Sequence, residues 1–208
     1  MQDYKLARRA MIDSQLRPEA VTDGGVLAAM GSVERERFVP EAARAFAYFD
    51  RPVPIGSGRT MMPPAALGRL LSVLAPRAGE RALVVGAGTG YSAALLAAIG
   101  LEVTALEEDA GLAAEARAAG VEIANSDAKS TGSKPYDLIL IDGAVEMIPD
   151  VRVARLVEGG RLATALIDRG VSRLVIGRAS GGALGLRTIT DADVAPLPGF
   201  ERPRAFTF

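Results

Sequence analysis

The sequence predicts an α/β fold with a doubly wound, mostly parallel sheet and an N-terminal helical cap. Two observations carry this prediction. Residues 81–107 form a complete strand–helix–strand unit whose first turn is rich in glycine. Apolar strand-like runs then alternate with helical segments up to residue 167. Such alternation requires right-handed crossovers between parallel strands, so the strands are expected to lie in one doubly wound sheet.

The N-terminal part of the chain is predicted to be helical. Residues 4–15 carry apolar positions at the spacing of an amphipathic helix. Asp23 is placed to cap a second helix, and residues 41–49 predict a third. Between them, the charged run at residues 34–37 is interpreted as a solvated face.

Regular structure is predicted to stop over residues 50–64, which are rich in proline and glycine. A loop of this length inside a compact domain is either a linker or functional, and here it is expected to cover a ligand site. A helix over residues 65–74 follows. Residues 1–208 are therefore predicted to form a single domain, in which residues 1–75 provide the cap and the loop and residues 76–208 the α/β core.

The central unit has the arrangement of a nucleotide site. The apolar strand at residues 82–85 leads into Gly-Ala-Gly-Thr-Gly at residues 86–90, and a helix follows over residues 91–99. A turn without Cβ atoms lets the backbone approach a ligand, and the free N–H groups at a helix start favour an anionic group. Glu107 ends the next strand, 107 − 86 = 21 positions after the first glycine. At that distance its carboxylate is a candidate for both ribose hydroxyls.

The glycine spacing distinguishes between nucleotide ligands. A dinucleotide fingerprint requires a small residue at position 91, where this chain has Tyr91. No Lys-Ser/Thr pair follows the glycines, so a phosphate-cradling P-loop is also disfavoured. The pattern G-x-G-x-G with an acidic strand end resembles the S-adenosylmethionine site of class I methyltransferases. The alternative is a glycine-rich turn that binds nothing.

The rest of the chain extends the sheet. The expected elements are a helix capped by Asp109 and reaching residue 119, strands at 121–124, 136–142 and 161–167, a helix at 149–156, antiparallel strands at 172–179 and 184–189, and an edge segment at 195–208. Ligands bind open α/β sheets beyond the carboxyl ends of the strands. Residues 86–90, Glu107, Asp127 and Asp142 all lie at such ends, which predicts one shared site, although each acid could instead be a cap or turn residue.

Composition excludes several classes of function. The net charge is −1 with acids and bases interspersed, so neither nucleic acid nor an acidic membrane surface is an expected partner. No apolar run is long enough to span a membrane and the N-terminus does not read as a signal peptide, so a cytoplasmic protein is expected. With no cysteine and no histidine, thiolate and imidazole nucleophiles and the usual zinc ligands are absent, and no metal site is predicted. Methyl transfer from a sulfonium to an ionised carboxylate needs mainly alignment, which suits such a chain.

Along most of its length the chain resembles the protein-L-isoaspartate O-methyltransferase family. The segments that carry the resemblance are MIDSQLR at 11–17, VLAAM at 26–30, ERFVP at 36–40, AYFD at 47–50, PIGSGRT at 54–60, GAGTGY at 86–91, PYD at 135–137 and EGGRL at 158–162. This resemblance implies a Rossmann-like class I methyltransferase that uses S-adenosylmethionine. Its substrate would be a protein or peptide with a free carboxylate, the isoaspartyl residue of damaged proteins, and methylation would be the first step of repair.

The resemblance also assigns residues. The expected cofactor contacts, together with the acid predicted at the strand end, are Gly86, Ala87, Gly88, Gly90, Tyr91, Glu107, Asp127 and Asp142. The expected acceptor loop spans residues 54–62, with substrate contacts at Pro54, Ile55, Gly56 and Arg59 and catalytic positions at Thr60 and Met62.

Two positions depart from the family pattern. Met62 stands where the family has a serine whose hydroxyl is implicated in catalysis, and a thioether is a much poorer hydrogen-bond partner. Val84 stands two residues before the first glycine, where class I methyltransferases usually carry a carboxylate that helps to hold the amino end of the cofactor. Two alternatives are therefore kept: the same cofactor with a different acceptor, and a non-catalytic relative that binds a ligand or partner.

Overall fold

The computed structural model describes residues 3–124 and 134–203. The described helices are α1 (Tyr4–Met11), α2 (Gly24–Ser32), α3 (Pro64–Leu74), α4 (Tyr91–Ile99), α5 (Ala110–Ala118) and α6 (Asp150–Val153). The described strands are β1 (Val53–Gly56), β2 (Arg59–Met61), β3 (Arg81–Val85), β4 (Glu102–Leu106), β5 (Ile123–Ala124), β6 (Tyr136–Val145), β7 (Leu156–Asp168), β8 (Val171–Ser180) and β9 (Ala183–Asp191). A π-helical turn continues α1 over Ile12–Leu16, and two short 3₁₀ segments cover Arg35–Phe38 and Glu41–Phe46.

Seven of these strands form one sheet in the order β5-β4-β3-β6-β7-β8-β9. Strands β3 to β7 pair in parallel, and β8 and β9 extend the sheet as antiparallel neighbours. The central strands are apolar runs because helices cover both faces of a parallel sheet. The prediction of a doubly wound, mostly parallel sheet is confirmed.

The order of the strands brings distant residues to one edge. Strand β3 lies between β4 and β6, and Val85 at its end is paired with Leu106 on one side and Ile141 on the other. The residues that follow these partners in the chain are Glu107 and Asp142. Both carboxylates therefore flank the start of the glycine turn, as the topological switch point of such a sheet requires.

The interpretation of residues 34–37 as a solvated face is wrong for Arg35 and Glu36, whereas Glu34 and Arg37 are exposed. The side chain of Arg35 is completely buried and Glu36 is nearly so. Arg35 donates through Nε to the carbonyl oxygen of Ala47 and through Nη2 to that of Met62, both at 2.6 Å. The burial depends on these distant carbonyl groups, which the local charge pattern does not reveal.

The sequence predicted that residues 50–64 would lack regular structure, and this prediction is wrong. Strands β1 and β2 pair there as an antiparallel hairpin. Its turn contains Gly56, Ser57 and Gly58, with φ angles of 105°, 50° and 70°. Two glycines supply the left-handed backbone that a tight hairpin needs, which explains how the chain reverses here despite the surrounding prolines.

The described part of the tail, residues 195–203, does not form a sheet edge, contrary to expectation. Strand β6 is longer than β3, so its last residues have unpaired backbone groups beyond the end of β3. The tail satisfies them: the N–H of Ala144 donates to the carbonyl of Ala195 at 2.9 Å, and the N–H of Leu197 donates back to Ala144 at 2.7 Å. The tail therefore crosses the carboxyl edge of the sheet, beside the predicted site.

One apolar core links the cap to the sheet. Met30 of α2, Leu70 of α3, Val84 of β3, Leu95 of α4 and Leu140 of β6 belong to a single cluster of buried side chains. This continuity supports the proposal of a single domain. Within residues 3–124 and 134–203, no helix combines the length and the apolar character needed to cross a membrane.

Candidate functional site

The glycine turn after β3 is packed closely by other segments. Gly86 has a φ of 70°, and a Cβ atom there would lie 2.7 Å from the side chain of Leu197. Gly88 has a φ of 58°, and a Cβ atom there would lie 2.8 Å from Ile55. Both positions therefore require glycine for two reasons, the left-handed backbone and the absence of space. The turn is held between the tail and the hairpin.

Glu107 is buried at the end of β4, with 2% of its side chain exposed. Oε2 accepts the N–H of Gly88 at 2.7 Å and Oε1 accepts the N–H of Asp109 at 3.0 Å. A carboxylate has about four acceptor positions on its two oxygens. These two backbone bonds therefore fix the carboxylate next to the glycine turn and leave about two positions for other donors.

Arg59 of β2 fills those remaining positions. Its Nη1 lies 3.4 Å from Oε1 and 3.3 Å from Oε2 of Glu107, and its Nη2 donates to the carbonyl of Gly86 at 3.0 Å. The guanidinium is largely buried, with 11% of the side chain exposed. In this structure the hairpin is thus fastened to the carboxylate that the sequence assigns to a ribose.

A cavity of about 380 Å³ opens beside Glu107. Its walls combine acids, two arginines and apolar side chains, contributed by the hairpin, β3, β4, α6 and the tail. The lining residues are Ser57, Arg59, Val85, Gly86, Leu106, Glu107, Glu108, Asp109, Arg152, Leu197, Pro198 and Phe200. This volume lies within the range of roughly 300–1,000 Å³ that is usual for small-molecule sites. The cavity therefore provides space for an adenosine-sized group against the Glu107 carboxylate.

A second, much smaller cavity adjoins the first, and Arg59 and Gly86 line both. Its volume is about 10 Å³, enough for roughly one water molecule. It is lined by Ile55, Arg59, Thr60, Met61, Gly86, Ala87, Gly88, Thr89, Tyr91 and Asp142. The hairpin and the glycine turn meet here, so a larger group can enter only if the hairpin shifts.

Asp142 is the carboxylate of this smaller cavity. Ser92, fully buried at the start of α4, donates its hydroxyl to Oδ2 of Asp142. Burial raises the pKa of Asp142 above its ordinary value, although the Ser92 hydrogen bond and the positive charges of Arg59 and Arg35 act in the opposite direction. A carboxyl group held in this way would be stabilised in its ionised form by a further cation.

Tyr91 lines the same cavity. Its ring is buried, lies edge-on to Phe38 at a centroid distance of 5.5 Å, and has the guanidinium carbon of Arg35 4.8 Å from its centroid. Burial raises the pKa of the Tyr91 hydroxyl. The neighbouring guanidinium of Arg35 acts on this pKa in the opposite direction.

The structure brings most of the predicted site residues together and separates a few. Ile55, Arg59, Thr60, Gly86, Ala87, Gly88, Tyr91 and Asp142 line the small cavity, and Glu107 lines the larger one with Arg59 and Gly86. By contrast, Gly90 begins α4 and faces Val121, Pro54 and Gly56 are exposed on the hairpin, and Met62 is 3% exposed within the core. Asp127 lies outside the described residues.

Sequence reasoning missed several contributors to these walls, three of them from parts of the chain that were not expected at the site. Leu197 and Phe200 come from the tail and Arg152 from α6. For Leu197 a signal exists in hindsight, because it is apolar within a stretch rich in proline and glycine. The other two reach the cavity only through the long-range path of the chain, which local patterns do not show.

Comparisons with known proteins agree with this architecture. Residues 7–175 match the family model described as Protein-L-isoaspartate(D-aspartate) O-methyltransferase. A protein-L-isoaspartate O-methyltransferase of Methylorubrum populi is 40% identical over 164 residues, covering 75% of this chain and 77% of the relative. A protein-L-isoaspartate O-methyltransferase 2 of Marinobacter nauticus is 36% identical over 211 residues, covering 96% of both chains.

Solved structures share the fold. A Plasmodium falciparum structure, described as a protein-L-isoaspartate O-methyltransferase in complex with S-adenosyl-L-homocysteine, superposes with a TM-score of 0.75 at 20% identity. The alignment covers 95% of this chain and 99% of that one. A second structure, described as a protein-L-isoaspartate O-methyltransferase, gives a TM-score of 0.78 at 19% identity over 92% of this chain and 66% of that one. At these identities the likeness concerns the fold.

Proposed function

The chain belongs to the protein-L-isoaspartate O-methyltransferase family, and on that premise we propose that it transfers a methyl group from S-adenosylmethionine to the free carboxylate of an isoaspartyl residue in a protein or peptide. The observation that carries the proposal is the position of Glu107, buried beside the glycine turn and facing a cavity of about 380 Å³. Relatives named for this activity match most of the chain, which is why this acceptor is preferred to a different one or to a non-catalytic role.

The residues present fit this cofactor. Glu107 can accept both ribose hydroxyls once Arg59 withdraws, and Leu106, Leu197 and Phe200 provide apolar walls for a flat base. The acids around the two cavities complement the positive sulfonium and ammonium groups. When bound, S-adenosylmethionine supplies an activated methyl group on its sulfur.

The remaining work of the chain is positioning. The hairpin contributes Thr60 and Arg59 to the small cavity, which the glycine turn also lines. Thr60 offers a hydroxyl donor and Arg59 a guanidinium fork that matches a carboxylate. An isoaspartyl carboxylate is already ionised at neutral pH, so no general base is needed and alignment with the methyl group supplies the rate.

The direct test is methyl transfer from labelled S-adenosylmethionine to an isoaspartyl peptide, with the aspartyl peptide of the same sequence as the matched control. We expect a base-labile methyl ester on the isoaspartyl peptide alone. Calorimetric titration with S-adenosylhomocysteine accompanies the assay. Binding of S-adenosylhomocysteine without methyl transfer would contradict the proposed acceptor. No binding at millimolar S-adenosylhomocysteine would contradict the whole proposal.

Arg59→Gln is expected to have opposite effects on the two ligands. Ribose and Arg59 compete for the same acceptor positions on Glu107, so loss of the guanidinium should tighten S-adenosylhomocysteine binding by about 2- to 5-fold, the worth of a weak ion pair. The KM for the isoaspartyl peptide should rise about tenfold, because the fork for the acceptor carboxylate is lost. Calorimetry measures the affinity for S-adenosylhomocysteine, and initial rates give the KM for the isoaspartyl peptide. Weaker S-adenosylhomocysteine binding would show instead that Arg59 holds the cofactor.

Met62→Ser is expected to raise kcat/KM for the isoaspartyl peptide at least tenfold, since a hydroxyl that donates to the acceptor carboxylate would align it with the methyl group, and a misplacement of about 1 Å can cost roughly 10²-fold in rate. The backbone of Met62 is already fixed by Arg35, so the substitution changes mainly the side chain. Met62→Ala is the control, because it creates similar space without the hydroxyl. Equal activities of the alanine and serine variants would mean that space, and not hydrogen bonding, limits turnover. A stability loss of about 2–5 kcal/mol is expected for both variants, as for other truncations of buried methionine.

A further inference from the structure

The position that usually carries a carboxylate before the glycine turn cannot serve a ligand in this chain. Val84 occupies it, is fully buried, and belongs to the apolar core cluster. A cofactor with a charged amino-acid end would therefore find no acid there. Some other group must compensate for the positive charge of its ammonium, since an unpaired cation in a closed site is strongly disfavoured.

Asp142 lies where such a group is needed. It flanks the glycine turn from the neighbouring strand, in line with Gly86, and it is the one carboxylate among the described residues that line the small cavity. The larger cavity holds Glu107, the ribose partner, and the two cavities meet at Gly86 and Arg59. A ligand whose ribose lay on Glu107 and that extended past Gly86 would reach the small cavity with the group attached to its ribose.

We propose that Asp142 binds the ammonium group of the cofactor's amino-acid end, and so replaces, from the adjacent strand, the carboxylate that is missing at Val84. The proposal rests on the proposed function, because it assigns one group of the same cofactor. Asp142 is partly buried and its Oδ2 is held by Ser92, so the carboxylate is oriented before the ligand arrives.

A neighbouring feature supports this assignment. Arg59 lines both cavities and bonds to Glu107 and Gly86. When a ribose displaces Arg59 from Glu107, the hairpin is released at the point where the small cavity must open. Entry of the adenosine part and exposure of Asp142 are thereby linked.

The test compares Asp142→Asn with the wild-type protein, using two ligands. S-adenosylhomocysteine carries the amino-acid end, whereas 5′-deoxy-5′-methylthioadenosine has the same adenosine and sulfur without it. The asparagine oxygen can still accept the Ser92 hydrogen bond. We expect S-adenosylhomocysteine to bind about 10- to 100-fold more weakly, the usual effect of losing a charged hydrogen-bond partner, while methylthioadenosine binding changes less than about threefold.

The methylthioadenosine titration also shows that the variant is folded. Asp137→Asn is the matched control, since it removes the same charge from the opposite end of β6, and it should leave both affinities unchanged. Unchanged S-adenosylhomocysteine binding in Asp142→Asn would overturn the assignment, and so would an equal loss for both ligands, which would indicate a structural role. If the wild-type protein bound neither ligand, both the proposed function and the assignment of Asp142 would be contradicted.

A second measurement needs no substitution. Burial raises the pKa of Asp142 in the free protein above the ordinary 3.8, with Glu107 acting in the same direction and Arg35 and Arg59 against it. A bound ammonium favours the ionised form and therefore lowers this pKa in the complex. Affinity for S-adenosylhomocysteine should thus be constant between the raised pKa of Asp142 and the pKa of the ligand's own ammonium group, and it should fall as the pH decreases through the raised pKa of Asp142. Methylthioadenosine, which also uses Glu107, should not show this fall; parallel pH profiles would contradict the proposal.

Discussion

Glu107→Ala is expected to weaken binding of S-adenosylhomocysteine at least 100-fold. The two ribose hydroxyls would lose the carboxylate to which they donate, and each of these hydrogen bonds to a charged acceptor is worth about 1.5–3 kcal/mol. Because a factor of ten in affinity corresponds to about 1.4 kcal/mol, the combined loss is at least about 100-fold. In contrast to the Asp142 variant, methylthioadenosine should be affected equally, because both ligands share the ribose. Calorimetric titration of both ligands measures the effect.

The Glu107 side chain also supports the protein, so two controls are needed. Glu102→Ala removes the same group from the opposite, exposed end of β4 and should leave both affinities unchanged. Glu107→Gln keeps the size of the side chain but presents an NH₂ group to the N–H donors of Gly88 or Asp109, so it should also bind poorly. Retained affinity in Glu107→Gln would show that ribose recognition does not depend on the carboxylate.

The unit from β3 to Glu107 was predictable because its signals are local. An apolar run, a glycine turn, a helix and an acidic strand end follow one another within residues 81–107, and each reports on neighbours in the chain. The same holds for Asp142, which ends an apolar run. The parallel order of the strands then follows from crossover handedness, and it places these residues at one edge.

The features that the sequence did not reveal depend on long-range pairing. Arg35 lies in a run of alternating charges, and only its distant carbonyl partners, Ala47 and Met62, explain its burial. Leu197 packs against Gly86 across more than 100 residues of chain. The β1–β2 hairpin differs from these, since Gly56 and Gly58 between two short extended runs were a local signal, which the surrounding prolines obscured.

The buried arginine also explains how the cap affects the site. Arg35 joins the carbonyl of Ala47 in the cap to that of Met62 after β2, and its guanidinium lies over the ring of Tyr91 at the start of α4. The acceptor hairpin, the cap and the cofactor turn thus share one side chain. A change in Arg35 should therefore alter the stability of the fold and the position of Thr60 together.

Arg35→Met is expected to lower the free energy of unfolding by about 2–4 kcal/mol. Two buried carbonyl groups would lose their donor, at roughly 1–3 kcal/mol each, and the cation–π contact would add to the loss. Part of this loss of stability is offset, because burying the charged guanidinium is itself costly, as the lowered pKa of Arg35 indicates. Methionine fills most of the volume, so a cavity contributes little. Urea denaturation followed by circular dichroism measures the change in midpoint.

Arg37→Met is the matched control, since the same substitution two residues further along affects an exposed side chain and should change stability by less than about 0.5 kcal/mol. Arg35→Lys tests the geometry, because one ammonium group cannot reproduce the planar fork that reaches both carbonyls. If Arg35 positions the hairpin, kcat/KM for the isoaspartyl peptide should fall in the lysine variant by a larger factor than the affinity for S-adenosylhomocysteine. A lysine variant with lowered stability but unchanged kinetics would restrict Arg35 to a structural role, and the position of the hairpin would then depend on its other contacts, which include the bonds of Arg59 and the packing of Ile55 against Gly88.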